Sequence, residues 1–152
     1  MEAGAARVVL GTKACEDPEF VRRAAAKYGK KIAVAIDAKA GQVVSRGWVS
    51  ATAFSVKDLA KQMKDLGVHT LICTDVSRDG MMSGPNLQLL RDVLNTGPKE
   101  LIASGGISAL EDLKSLKQLD PEGVIGVIVG KAIYEGTVDV KEAIKILGNH
   151  AR

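Results

Sequence analysis

Thr74, Asp75, Asp79 and Gly80 fall within one short run, residues 70–86, TLICTDVSRDGMMSGPN. An apolar segment stops at a hydroxyl and a carboxylate, and a polar loop with glycines follows. A threonine can orient a substrate hydroxyl, which makes the threonine–aspartate pair at the strand end suggestive. Aspartates around a glycine are also ordinary turn formers. A calcium loop fits poorly, because the spacing departs from the EF-hand pattern and the closing glutamate is missing. Asp37 ends a second apolar run, Ile32–Ile36. A partly desolvated carboxylate there suits proton donation, but the same position often anchors a loop, and the residues alone favour neither reading.

Two glycine turns form a third group: Ser104-Gly105-Gly106-Ile107-Ser108 and Val129-Gly130-Lys131-Ala132. Glycine lets backbone N–H groups approach an anion closely, and a following helix start adds favourable charge. One Gly-Gly is weak evidence. Two such turns after consecutive strands favour phosphate binding, and Gly11-Thr12 is a similar, weaker anion candidate. Trp48 could cover a substrate or anchor its own loop. His69 precedes a strand at the end opposite these groups, His150 lies in the tail, and Met81 and Met82 read as loop packing. No Ser-His-Asp triad or metal-ligand cluster stands out.

These groups need elements to hold them. Five apolar runs, Arg7–Leu10, Ile32–Ile36, Thr70–Cys73, Leu101–Ser104 and Val124–Val129, are rich in Val and Ile with little alternation. That pattern fits parallel strands buried on both faces. A helical pattern follows each. Asp17-Pro18 opens one helix and Gly29 ends it; Ser55 with Asp58 resembles a capping box, and Gly67 closes that helix. Asn86, Ser108 and Asp139 are the expected caps of 87–94, 109–116 and 140–147. The segment Ala38–Phe54 reads as an active-site loop or small hairpin. Five βα units in one domain, residues 1–152, are expected. Right-handed crossovers between sequential strands put every helix on one side of the sheet. The other side then stays apolar and bare unless the sheet curves into a barrel, whole or partial, or meets a partner. A reversal of strand order would instead give a flavodoxin-like doubly wound sheet, and periodicity alone does not choose between them.

The chain has 152 residues, 46% hydrophobic and 26% charged, with a net charge of +3. That composition fits a globular domain able to bury a core. With 3% aromatics there is little for base stacking, so nucleic acid is not an expected partner. No apolar stretch is long enough for a membrane span or a signal peptide, and two cysteines outside any metal spacing fit a reducing cytoplasm.

Read together, Val9-Leu10-Gly11-Thr12-Lys13-Ala14, Ala35-Ile36-Asp37, Arg46-Gly47-Trp48, Thr74-Asp75-Val76-Ser77-Arg78-Asp79-Gly80, Ala103-Ser104-Gly105-Gly106 and Val129-Gly130-Lys131-Ala132-Ile133-Tyr134-Glu135-Gly136 closely resemble the phosphoribosylformimino-5-aminoimidazole carboxamide ribotide isomerases of histidine biosynthesis. Their order matches the fourth through eighth units of that family's (βα)8 barrel. The sister cyclase subunit of imidazole glycerol phosphate synthase shares some motifs, but Arg46-Gly47-Trp48 and the 130–136 ending look more like the isomerase. The resemblance implies an Amadori rearrangement of an aminoaldose bearing two phosphates. It implies Asp37 as the general acid that helps open the ribose ring, and Thr74 as the residue positioning the sugar. Gly105, Gly106, Gly130 and Lys131 match one phosphate site; Gly11 and Thr12 match part of the other. Trp48, Asp75, Asp79 and Gly80 belong to the substrate loops. No metal or organic cofactor is implied.

A full barrel takes roughly 250 residues and eight strands. The family's catalytic base, an aspartate on its first strand, has no matching position here. The expectation is therefore a natural or engineered fragment, inactive alone. Its bare sheet edges and apolar face should drive it into a homodimer or higher oligomer, with elements exchanged between copies. The competing expectation is a non-catalytic half-barrel that binds a phosphorylated sugar, phosphate or sulfate.

Overall fold

The computed structural model describes residues 4–45 and 50–148. In chain order these form β1 (Val8–Leu10), α1 (Lys13–Glu16), α2 (Pro18–Tyr28), β2 (Ile32–Lys39), β3 (Gln42–Ser45), β4 (Ser50–Ser55), α3 (Val56–Asp65), β5 (Thr70–Asp75), α4 (Leu87–Leu94), β6 (Glu100–Ser104), α5 (Leu110–Lys117), β7 (Val124–Ile128), α6 (Lys131–Tyr134) and α7 (Val140–Leu147). Arg46, Gly47, Trp48 and His150 lie outside the described residues.

The parallel strands stand side by side in chain order, β1-β2-β5-β6-β7. A doubly wound sheet would reverse that order at its middle, so the flavodoxin-like alternative is wrong. Each parallel strand is followed by helix, as a partial barrel requires. Among the described residues the sheet is not closed: β1 pairs with β2 and β7 with β6, and each presents a free edge.

Of the two readings of 38–54, active-site loop or small hairpin, the described residues show the hairpin. The segment after Asp37 is an antiparallel hairpin, β3–β4, and β2 itself runs on to Lys39 rather than stopping at Asp37. The hairpin is possible because β1 covers only the first part of that edge of β2, pairing Val8–Leu10 with Ile32–Val34. The exposed remainder, Asp37–Lys39, pairs with Gln42–Val44. Ala40 and Gly41 turn the corner with φ of 50° and 78°, the left-handed conformation a two-residue hairpin loop needs.

Strand alternation sorts the two faces. Val34, Ile36, Leu71, Cys73, Leu101, Ala103 and Val124 join one core with Val21, Leu59, Met63, Leu90, Val93, Leu113 and Leu116 of the helices. On the other face stand Val9, 50% exposed, and Ile128, 47% exposed. The helices thus lie on one side, as handedness requires. Helix starts follow the expected caps at Asp17, Ser55, Asn86 and Asp139, each side chain accepting from a backbone N–H three residues on. Ser108 is the exception. The helix starts at Leu110, and the carboxylate of Asp112 reaches back to accept from the N–H groups of Ser108 and Ala109 and from the Ser108 hydroxyl. An acid in the first turn can satisfy these N–H groups, so the serine becomes a donor to it. Among the described residues, no helix is long and apolar enough to cross a membrane.

Candidate active site

Parallel register fixes the geometry of the strand ends. Asp37 pairs with Thr74, Thr74 with Ser104, and Ser104 with Ile128. The four residues form one row across β2, β5, β6 and β7, at the carboxyl ends of the parallel strands. They share the face turned away from the helical core, which is the inward face of a barrel. Asp37 is the carboxylate of this row and is partly buried. Ser104 was not singled out as a site residue in its own right. The signal was available, since it ends its strand as Thr74 nearly ends β5.

Beyond Ser104 the chain enters Gly105-Gly106, with φ of 93° and 86°. A Cβ on Gly105 would sit 2.6 Å from the Asp75 carbonyl oxygen, and one on Gly106 would sit 2.3 Å from that of Gly84. Both glycines are therefore demanded by the backbone of the 75–84 loop packed over them. Gly130 differs: its φ is −113°, and a Cβ there would meet nothing within 4 Å. Packing does not require glycine at 130, and the space beside it is open.

Asp79, Gly80, Gly105, Gly106, Gly130 and Lys131 line a common cleft, together with Met82, Ile107 and Ile128. Ile128 joins this cleft to the row that starts at Asp37. The cleft measures about 20 Å³, enough for one water-sized group at its bottom. Gly11 and Thr12 stand apart, at the end of β1 on the far side of β2. Thr12 precedes the short helix α1 and makes no side-chain cap hydrogen bond.

Asp75 is 5% exposed and faces its own loop. Its Oδ1 accepts from the N–H and hydroxyl of Ser77, and its Oδ2 accepts from Asn86 Nδ2 at 2.7 Å. Burial alone would raise its carboxyl, but the hydrogen bonds from Ser77 and Asn86 and the nearby Arg78 charge outweigh burial and hold it below the usual range. Cys73 lies two residues earlier on the same strand, on the core face. Burial, followed by the charges of Asp75 and Asp37, pushes its thiol up to about 12, so it behaves as a small apolar side chain. His69 sits at the opposite end of the sheet beside Glu100, whose carboxylate accepts from Thr70 Oγ1 at 2.7 Å.

The model of the family described as "Histidine biosynthesis protein" matches residues 1–139. The chain belongs to that family. Curated relatives carry the name 1-(5-phosphoribosyl)-5-((5-phosphoribosylamino)methylideneamino) imidazole-4-carboxamide isomerase. The protein of that name from Prochlorococcus marinus (strain NATL2A) is 47% identical over 148 residues, covering 97% of this chain and 58% of its own length. That from Pelobacter propionicus is 44% identical over 148 residues, covering 97% of this chain and 60% of its own. That from Syntrophomonas wolfei is 43% identical over 143 residues, covering 93% of this chain and 59% of its own. The chain thus spans rather more than half the length of the relatives it matches, their carboxy-terminal part.

Proposed function

We propose that these residues form the acid and phosphate-holding part of a sugar-phosphate isomerase that converts an aminoaldose to an aminoketose by an Amadori rearrangement. Asp37 donates the proton that opens the ribose ring, and the hydroxyl of Thr74 beside it holds the reacting sugar. The observation that carries this reading is the pairing of Asp37 with Thr74, in a row that continues through Ser104 to the cleft-lining Ile128. One phosphate sits at the mouth of that cleft with a single oxygen inserted. It takes its contacts from backbone N–H groups of the glycine turns and the charge of Lys131. Asp79 at the rim opposes an anion, so the phosphate lies toward Gly130. Gly11 and Thr12 hold the second phosphate. Four interstrand spacings of about 4.8 Å separate β1 from β7 along the sheet, so the two phosphate positions suit an elongated substrate charged at both ends.

An Amadori rearrangement needs a base as well as an acid. Asp37 is the single carboxylate of the row, so residues 1–152 alone bind the substrate without turning it over. The assay is isomerisation by this chain mixed with the amino-terminal portion of a curated relative. Turnover is expected in the mixture, with Asp37→Asn lowering it at least about 100-fold. Phosphate binding without turnover in any mixture would favour the second reading, a non-catalytic phosphate-binding half-barrel. Neither binding nor turnover would end both.

The partner of the isolated chain is a second copy of itself. Apolar grooves flank both free edges: about 400 Å³ at β1, lined by Val8, Leu10, Phe20 and Tyr28, and about 350 Å³ at β7, lined by Val124, Ile125, Ile144 and Leu147. A parallel edge is best satisfied by a parallel strand that brings its own helix. The β1 edge of one copy offers that to the β7 edge of another. Cys15 and Cys73 are free thiols, and a reducing cytoplasm is the compartment that keeps them so.

A further inference from the structure

The loop between β5 and α4 carries Asp79 and Gly80 to the cleft, yet it has no regular structure of its own. Met82 within it has a φ of 52°, a left-handed conformation that costs a non-glycine residue free energy. Something must hold such a loop in place. Arg78 Nη1 donates to three successive carbonyls just beyond Met82: Ser83 at 3.4 Å, Gly84 at 3.0 Å and Pro85 at 3.4 Å. Its Nε lies 3.9 Å from Asp75 Oδ2. Asp75, in turn, is tied to both ends of the loop, through Ser77 at the start and Asn86 at the finish. The Asp75 carbonyl accepts from the N–H groups of Arg78 and Asp79, and Gly84 N–H donates to Gly106 O at 2.9 Å. One charged pair thus fixes the loop to the strand end below it and to the glycine pair beside it.

We propose that Asp75 and Arg78 are positioning residues for the phosphate cleft: they touch no ligand, and they clamp the 76–85 loop so that Asp79 and Gly80 complete the wall facing Gly105, Gly106 and Lys131. This rests on the phosphate reading above and names the device that shapes that site.

Simple electrostatics and positioning predict different results for both residues. Asp75→Asn removes a negative charge close to the anion, so charge alone predicts tighter phosphate binding. Arg78→Lys keeps its charge, so charge alone predicts no change. Positioning predicts weaker binding in both. An asparagine has fewer acceptor sites for Ser77 and Asn86, and a single ammonium cannot face the loop carbonyls and the Asp75 carboxylate at once, as Nη1 and Nε of the guanidinium do. The experiment titrates the whole chain with inorganic phosphate and follows the amide signals of Gly105, Gly106 and Gly130 by NMR, with hydrogen exchange of Asp79 and Gly80 as a second readout. Each variant is expected to bind about tenfold more weakly, the size of a lost hydrogen bond to a charged group. Exchange at Asp79 and Gly80 should speed up while the amides of β5 and β6 keep their protection. Should either charge variant unfold, Ser77→Ala, which removes only one hydroxyl from the network, carries the test and should weaken binding about threefold. Unchanged affinity in Arg78→Lys, or tighter binding in Asp75→Asn, overturns the proposal. If the wild-type chain takes no phosphate, the phosphate reading fails. The clamp is then judged by exchange alone: faster at Asp79 and Gly80 in the variants supports it, and equal rates overturn it.

Discussion

Gly106 and Gly130 look alike in the sequence and do different jobs in the fold. Gly106 holds a φ of 86° with the Gly84 carbonyl pressed against it, whereas Gly130 has open space where a Cβ would go. Gly106→Ala should therefore destabilise the chain by about 3 kcal/mol, from combined strain and overlap. Gly130→Ala should leave the unfolding free energy within about 0.5 kcal/mol of wild type and weaken phosphate binding instead. Denaturant titration of both variants checks the contrast. Asp75 makes stability depend on pH in a defined direction. Its folded carboxyl lies below the unfolded value of about 3.9. Its contribution is therefore fully present above that value and is lost as pH falls through the folded one. Stability measured from pH 6 down to pH 3 should decline less steeply in Asp75→Asn than in wild type. At this scale the sequence was informative about residue type and much less so about use. Asp37, Thr74 and the glycine turns could be picked out as strand-end groups. That Asp75 turns into its own loop could not, because its partners Ser77, Arg78 and Asn86 are also common turn and cap residues and only the folded loop brings them to one carboxylate.

Asn86 shows how an element boundary serves the site. Its Oδ1 accepts from Leu89 N–H at the start of α4 while its Nδ2 donates to buried Asp75. Asn86→Asp keeps a good capping residue by type but sets a second carboxylate against the first. It should therefore cost more stability than Asn86→Ala at pH 7, about 3 kcal/mol against about 2 kcal/mol, and the gap should close at acid pH. Thermal unfolding of the two variants at both pH values measures this. The strands that carry the parallel sheet were legible because both of their faces are covered or concave, which leaves unbroken runs of Val and Ile. The β3–β4 hairpin was foreseen only as one of two options. Its residues, including Val43 and Val44, carry no strong pattern, and the pairing depends on how little of the β2 edge the three-residue β1 occupies. The displaced start of α5 has a similar origin: whether Ser108 or Asp112 satisfies the first N–H groups is decided by side-chain reach, not residue preference.

At the scale of the molecule, five parallel strands in chain order with helices on one side form an open, barrel-like sheet. One-sided coverage followed from the handedness of crossovers as soon as the order was known, and the order itself needed the structure. The apolar inward face and the two edge grooves lead to an association prediction. Sedimentation at micromolar concentration should show a dimer or larger species. Ile144→Lys, which places a charge in the β7 groove on a residue already 51% exposed, should shift it toward monomer without unfolding. A wild-type monomer at that concentration would remove the second copy from the account. The central claim is that the carboxyl ends of β2, β5, β6 and β7 act together on one phosphorylated ligand. Its most direct test is an NMR titration of the chain with ribose 5-phosphate, mapped residue by residue. Saturable shifts confined to Asp37, Thr74, Asp79–Gly80, Ser104–Gly106 and Gly130–Lys131 are predicted, with His69 and Glu100 at the other end unmoved. Shifts centred on His69 and Glu100, or no saturable shift at the strand ends, would contradict it.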